Sequence, residues 1–243
     1  MTGTSRAPFV RALLLVACAC HAPPAPREPV ALPRQASESP EQLVNVVPGE
    51  LCATSGAVAA RQEGGFSVAS GAMRAVAPGS TGGAAELSFV YRGAAPEVAL
   101  LASGELRRQI GLKLRAQDTC NVVYVMWEIE PRPHVVVSMK RNPGRSSHSE
   151  CGPTGYVALK PRAHAPAPPI QGTGERHALR AEIGAGSLRV EADGDVVWEG
   201  ELPPAALELD GPAGMRSDNG VFDFELRVAR AVRAMAPSIG CAR

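Results

Sequence analysis

The chain has 243 residues and a formal net charge of +1, from 25 basic and 24 acidic side chains. This length sets one domain as the expectation, with room for a real core. The near-even charge balance, without a long charge run, excludes a dedicated phosphate-binding face, so no nucleic-acid partner is expected. Lys113, Lys140 and Lys160 are the only lysines, and the bias to Arg, Ala, Gly and Pro reads as coding composition rather than function.

At the N-terminus, Arg6 and Arg11 precede the apolar run Ala12 to Ala17, and Leu15-Val16-Ala17-Cys18 closes it. A basic start, a short apolar stretch and a small residue before cysteine form the pattern of a bacterial lipoprotein signal. The expectation is a signal peptide over residues 1–17, lipidation of Cys18, and a membrane-anchored protein of the cell envelope, outside the cytoplasm. The alternative is a secretory signal cut elsewhere and a secreted or periplasmic product. No run approaches the roughly 18 apolar residues of a membrane span. Residues 18–48 contain His21-Ala22-Pro23-Pro24-Ala25-Pro26 and have little to bury, so they read as a semi-rigid Pro/Ala-rich tether.

From there to about residue 233 the dominant period is two. Leu87, Phe89 and Tyr91 share one face of the run 85–92. Ile110, Leu112 and Leu114 do so in the run 107–115, and Phe222, Phe224, Leu226 and Val228 near the end. These read as half-buried strands with one wet face, whereas Val122 to Ile129 is apolar on both faces and reads as a central strand. Asp193-Gly194 supplies the positive φ values of a two-residue hairpin turn. Pro131 and Pro133 separate another pair of strands, Asn142-Pro143-Gly144 ends the second of them, and Pro161 to Pro169 reads as a loop. A short helical turn is expected over 229–235, and residues 234–243 form a C-terminal tail. Many short strands with Gly/Pro punctuation predict an all-β, antiparallel two-sheet sandwich.

Of six cysteines, Cys18 belongs to the signal and Cys20 to the tether. Four in an exported domain suggest two disulfides, with three possible connectivities. Cys120 with Cys151, clipping two neighbouring strands, and Cys52 with Cys241, joining the domain ends, are preferred. The absence of a Cys-x-x-Cys spacing argues against zinc.

The stretch Leu188-Arg189-Val190, Asp193-Gly194, Val197-Trp198-Glu199-Gly200, the link 211–220 and Phe222-Asp223-Phe224 resembles the C-terminal half of a concanavalin A-like lectin/glucanase domain, with the rhythm of laminin-G and keto-disaccharide-hydrolase modules. The resemblance covers about Gly49 to Val232 as architecture and is motif-like from about Leu179 to Leu226. It implies a jelly roll of two curved sheets, with carbohydrate on the concave sheet or its rim loops, sometimes with calcium.

Glu128 and Glu130 stand two apart on a strand, which sends both carboxylates to one face, and a retaining glycosidase needs two carboxyls roughly 5 Å apart. Related glucanases carry a third acidic residue two further on, where this chain has Arg132, so a solvated strand end is the competing reading. Among the aromatic residues, Trp127 shares its face with Val123, Val125 and Ile129 and reads as core, as does Trp198. Tyr124, alongside Met126 and Glu128, reads as the surface candidate for stacking on a sugar. Lys140, Arg141, Asn142, His148 and Glu150 cluster on a loop ending at Cys151, with Asp118 and Asn121 brought near if that cysteine bonds Cys120. The run Arg216 to Gly220 reads as a turn. No cofactor is expected, since Asp218 and Asn219 supply too few of the six to eight ligands calcium takes.

The leading expectation is therefore a non-catalytic, lipid-anchored module binding glycan or an envelope component near Tyr124 and the 140–150 loop. The alternatives are a glycoside-processing enzyme using Glu128 and Glu130, and a structural or protein-binding envelope lipoprotein.

Overall fold

Period-two patterning becomes two antiparallel sheets in the computed structural model, which describes residues 42–101 and 103–231. The strands are β1 (Leu43–Asn45), β2 (Cys52–Ser55), β3 (Ala59–Ala60), β4 (Phe66–Val68), β5 (Ala72–Val76), β6 (Ala84–Ala94), β7 (Arg108–Leu114), β8 (Val122–Glu130) and β9 (His134–Lys140). After the short helix α1 (His148–Cys151) come β10 (Tyr156–Ala158), β11 (Ala163–His164), β12 (Arg176–Gly184), β13 (Ser187–Ala192) and β14 (Asp195–Glu201). The helix α2 (Pro204–Leu207) then leads to β15 (Gly214–Asp218) and β16 (Gly220–Ala229).

One sheet runs β11-β14-β13-β12-β6-β16-β4-β3, with β1 added on β16; the other runs β10-β9-β8-β7-β15-β5-β2. The fold is an antiparallel two-sheet jelly-roll sandwich. The meanders β7 to β10 and β12 to β14 are local, whereas β6 with β16 and β7 with β15 join distant parts of the chain, so the core closes only when these long-range pairs form. Between the sheets lie Leu87, Phe89, Phe222, Phe224 and Leu226 from the first and Ile110, Leu112, Leu114, Val125 and Trp127 from the second. Phe89 and Trp127 meet across the gap edge to face, with ring centres 5.6 Å apart. That arrangement suits the aromatic quadrupoles as well as burying area. Each of the alternating sets read from the sequence is buried, and β8 is central, between β7 and β9.

The Asp193-Gly194 hairpin forms as expected. Both residues have positive φ, 53° and 90°, and Ala192 pairs with Asp195 across the turn. Three stretches differ from expectation. Leu43–Asn45 lies within the expected tether but pairs with Val228, because Leu43 can bury its side chain against Ala84 and Ala229. Ala163–His164, in the Pro-rich loop, bridges to β14. The expected terminal helical turn starts inside β16, which continues as strand through Ala229. The signal, Cys18, the tether through Glu41, the tail and Cys241 lie outside the described residues. Among the described residues, no helix is long and apolar enough to cross a membrane.

Candidate functional site

Strand register writes out the outer face of the seven-stranded sheet row by row. One row reads His134–Glu128–Gln109–Asp218–Ala72, the next Val136–Met126–Gly111–Arg216–Arg74, and the next Ser138–Tyr124–Lys113–Gly214–Val76. Lys140 follows beside Val122, with Tyr156 across from it on the edge strand β10. An alternating strand normally turns such a face to water. Here Gln109, Lys113, Tyr124, Glu128, Lys140, Arg216 and Asp218 are all buried, because long side chains lie across their neighbours.

Asp218 is the electrostatic centre. Its Oδ1 accepts from Arg74 Nη2 at 2.7 Å, and its Oδ2 from Arg216 Nε at 2.8 Å and Gln109 Nε2 at 2.7 Å. Desolvation pushes the carboxyl up, but the Arg216 and Arg74 guanidiniums outweigh it and hold the group below its ordinary value. Arg216 also lies over the Tyr124 ring, with Cζ 5.0 Å from the ring centre. The position across from it on β7 is Gly111, so no side chain lifts it off the sheet. Tyr124 stacks on Tyr156, 6.0 Å between ring centres and 21° between planes. Burial and the neighbouring Tyr156 push the Tyr124 hydroxyl up to about 12.

At the other end of the face, Glu105, Leu106, Arg107, Glu128, Pro131, Arg132 and His134 line a pocket of about 310 Å³. Arg107 bridges its two carboxylates: it pairs with Glu105, and its Nε lies 3.1 Å from Glu128 Oε1. His134 Nδ1 lies 2.7 Å from the Arg132 carbonyl, which only accepts, so Nδ1 carries a proton. Its Nε2 lies 3.1 Å from Glu128 Oε2. Burial pushes the Glu128 carboxyl up against the pull of Arg107 and His134.

The site residues expected from sequence fall in different places. Tyr124, read as an exposed platform, is only 4% exposed, whereas Tyr156, in the three-residue strand above it, is 44% exposed. Glu128 lies in the pocket; Glu130 is exposed and paired with Arg108, which also bonds the Tyr91 hydroxyl. Each carboxylate therefore has its own arginine, and β7 shifts register between the residues facing them. Lys140 is spent on the carbonyls of Thr119 (3.2 Å) and Gly152 (2.8 Å), and Asn142 on those of Cys120 and Thr154. Arg141 reaches Asn121 at 3.1 Å. His148 is exposed at the start of α1. Glu150 caps α1, and hydrogen bonds from the Ser147 backbone and hydroxyl and the Ser146 backbone hold its carboxyl at about 2. These contacts fasten the loop. The Cys120–Cys151 disulfide is present, with its Cα atoms 5.9 Å apart; it ties α1 to the turn before β8 rather than clipping two strands. Cys52 is also disulfide-bonded. The run expected as a turn at 216–218 is instead the interior strand β15, and only Asn219 is left-handed, at φ 59°. Asn219 joins the carbonyls of Ala99 and Arg107 and accepts from the Ala99 amide.

No family model and no curated protein matches the chain. Solved structures similar to it include a carbohydrate-binding module from Bacillus subtilis, 12% identical over 72% of this chain and 91% of that one, with a TM-score of 0.49. A tetrameric galectin from the ball sponge Cinachyrella sp. is 15% identical over 66% and 98%, at 0.39. A laminarinase from a Flavobacterium species is 12% identical over 70% and 80%, at 0.38. The fold assignment rests on the two sheets and their strand order, and what this face binds has to be argued from its side chains.

Sequence reasoning did not single out Arg74, Gln109, Lys113, Tyr156 or Arg216 as site residues. Lys113 and Gln109 carried the signal of a wet strand face, and β10 is too short to display any alternation.

Proposed function

We propose that this protein is an exported, lipid-anchored β-sandwich module that binds glycan on the outer face of its seven-stranded sheet. The observation that carries the reading is the pairing, on one face, of an exposed aromatic ring with a polar pocket. Tyr156 offers a flat ring for the apolar C–H patch of a sugar and is stiffened from below by Tyr124. Four residues along β8 from Tyr124, about 13 Å at ~3.3 Å per residue, Arg107, Glu128, Arg132 and His134 offer fixed donors and acceptors for hydroxyls. A mostly preformed site with a few placed polar groups is what saccharide recognition requires. The signal pattern at Cys18 supports membrane anchoring, and the Cys120–Cys151 disulfide suits an oxidising compartment. No cofactor enters this reading.

A calorimetric screen of the purified protein against a polysaccharide panel tests it. One glycan class binds, and Tyr156→Ala and Arg107→Ala each weaken binding at least tenfold while leaving the melting temperature nearly unchanged. A screen with no binding refutes the reading and moves weight to a protein partner in the envelope.

One observation favours a second reading, glycoside hydrolysis. Glu105 and Glu128 line the same pocket, and their carboxyls are driven in opposite directions. Ser103 and Arg107 hold Glu105 down, while burial raises Glu128, and two carboxyls pushed apart in this way are the pattern of an acid/base pair. Release of reducing ends from a bound polysaccharide, abolished by Glu128→Gln, is its expected result; turnover unchanged in that variant refutes it.

A further inference from the structure

The least satisfied charge on the outer face is Lys113. It is 2% exposed, yet among the described residues its ammonium has neither a hydrogen-bond nor an ion-pair partner. It is also not among the polar atoms sealed from water without a partner. Other cations surround it. Arg74 and Arg216 act on it electrostatically, and so does Asp118 with opposite sign. Asp218 is shared by the two arginines and Gln109, and Asp118 is held by the Asn121 side chain at 2.9 and 3.0 Å and the Cys120 amide at 2.7 Å. Lys140 is bound to loop carbonyls, and Glu128 faces Arg107 and His134. The position across from Lys113 on β15 is Gly214, and the position across from Arg216 on β7 is Gly111. The two glycines therefore put no side chain of their own between Lys113 on β7 and its diagonal neighbour Arg216 on β15.

A nearly buried cation that no protein group accepts from is costly, and a methionine would fill the same volume without that cost. Desolvation and the flanking arginines push the ammonium down to about 8. A group of this kind is explained by a ligand that supplies the missing negative charge.

We infer that the outer face recognises an acidic glycan, with an anionic substituent, carboxylate or sulfate ester, seated on Lys113 between Arg74 and Arg216. This rests on the glycan-binding reading above and names its ligand class. The anion completes the charge set that Asp218 leaves short. Tyr124, directly across from Lys113 on β8, supports Tyr156 above it, and the exposed Tyr156 ring is the aromatic face for the sugar that carries the anion. Guanidinium and ammonium groups both suit such oxygens, the former by paired donors.

Isothermal titration of the full-length protein with polygalacturonate, chondroitin sulfate and the neutral polymers laminarin and dextran tests this. The expected result is binding of at least one acidic polymer at least tenfold tighter than either neutral one. Lys113→Met weakens it at least tenfold, and so does Lys113→Gln. The charge-matched control Arg189→Gln, on the other sheet, leaves it within twofold. Polygalacturonate binding alone assigns a carboxylate, and chondroitin sulfate binding that is lost with unsulfated chondroitin, which keeps the uronate carboxylate, assigns a sulfate ester. A neutral polymer binding wild type and Lys113→Met equally overturns the anion site while leaving glycan binding standing. Acidic binding that Arg189→Gln weakens as much as Lys113→Met also overturns it, as diffuse charge attraction. If no saccharide binds, both readings fall.

Discussion

Lys113→Met makes the cost of the buried ammonium measurable without any ligand. The folded protein lowers this group from its ordinary 10.5 to about 8, chiefly by desolvation. At about 1.36 kcal/mol per decade, that corresponds to about 3 kcal/mol of stability forgone at pH 7. Methionine keeps the straight chain and removes the charge, so the variant should be more stable at pH 7 by up to this amount. The sign with pH follows from proton counting. Between about pH 8 and 10.5 the unfolded chain holds a proton on Lys113 that the folded chain does not, so wild-type stability rises with pH across that window. Below pH 8 the cost is fully present. The advantage of the variant should therefore shrink from pH 7 to pH 9.5. Lys140, lowered in the same direction by burial, is present in both proteins and cancels in the difference. Urea unfolding at the two pH values, followed by the fluorescence of the buried Trp127 and Trp198, measures it. A variant no more stable than wild type at pH 7, or a difference that does not change with pH, refutes the reasoning.

Asp218→Asn should destabilise by about 3–5 kcal/mol, since it leaves Arg216 buried beside Arg74 without a counter-charge; a loss under 1 kcal/mol by urea unfolding would show that the pair is not the centre of the face. Because the Asp218 carboxyl is held below its ordinary 3.8, its contribution is present above that pH and lost as pH falls through the folded value, and the variant should lack that part of the acid limb. Removing the Cys120–Cys151 bridge by the double serine variant frees a 31-residue separation, a chain-entropy cost of about 3–4 kcal/mol, visible as a lowered unfolding midpoint under oxidising conditions and as no effect in reductant.

The strands with strong alternation were legible in the sequence because the information is local. Phe222, Phe224, Leu226 and Val228 declare their shared face by spacing alone, and Asp193-Gly194 declares its turn by backbone chemistry. The Cys120–Cys151 pair was the preferred one of three connectivities, read as a clip between neighbouring strands; that it reaches the helix α1 instead was not legible. Neither were the short strands. Leu43–Asn45 and Tyr156–Ala158 are three residues each and exist because a longer strand beside them offers its ladder.

The amino-acid sequence by itself determined the all-β class, the two-faced strands and the principal core, because period and turn chemistry act within a few residues. Only the tertiary structure decided the site. Arg74 meets Asp218 across 144 residues of chain, and Gln109 meets it across 109. The same pairing turned the polar face of β7 from a solvated surface into a buried, positively charged bed around Lys113. No local pattern encodes that outcome, because burial of a strand's polar face depends on which distant strands lie beside it and on the length of the side chains they send across.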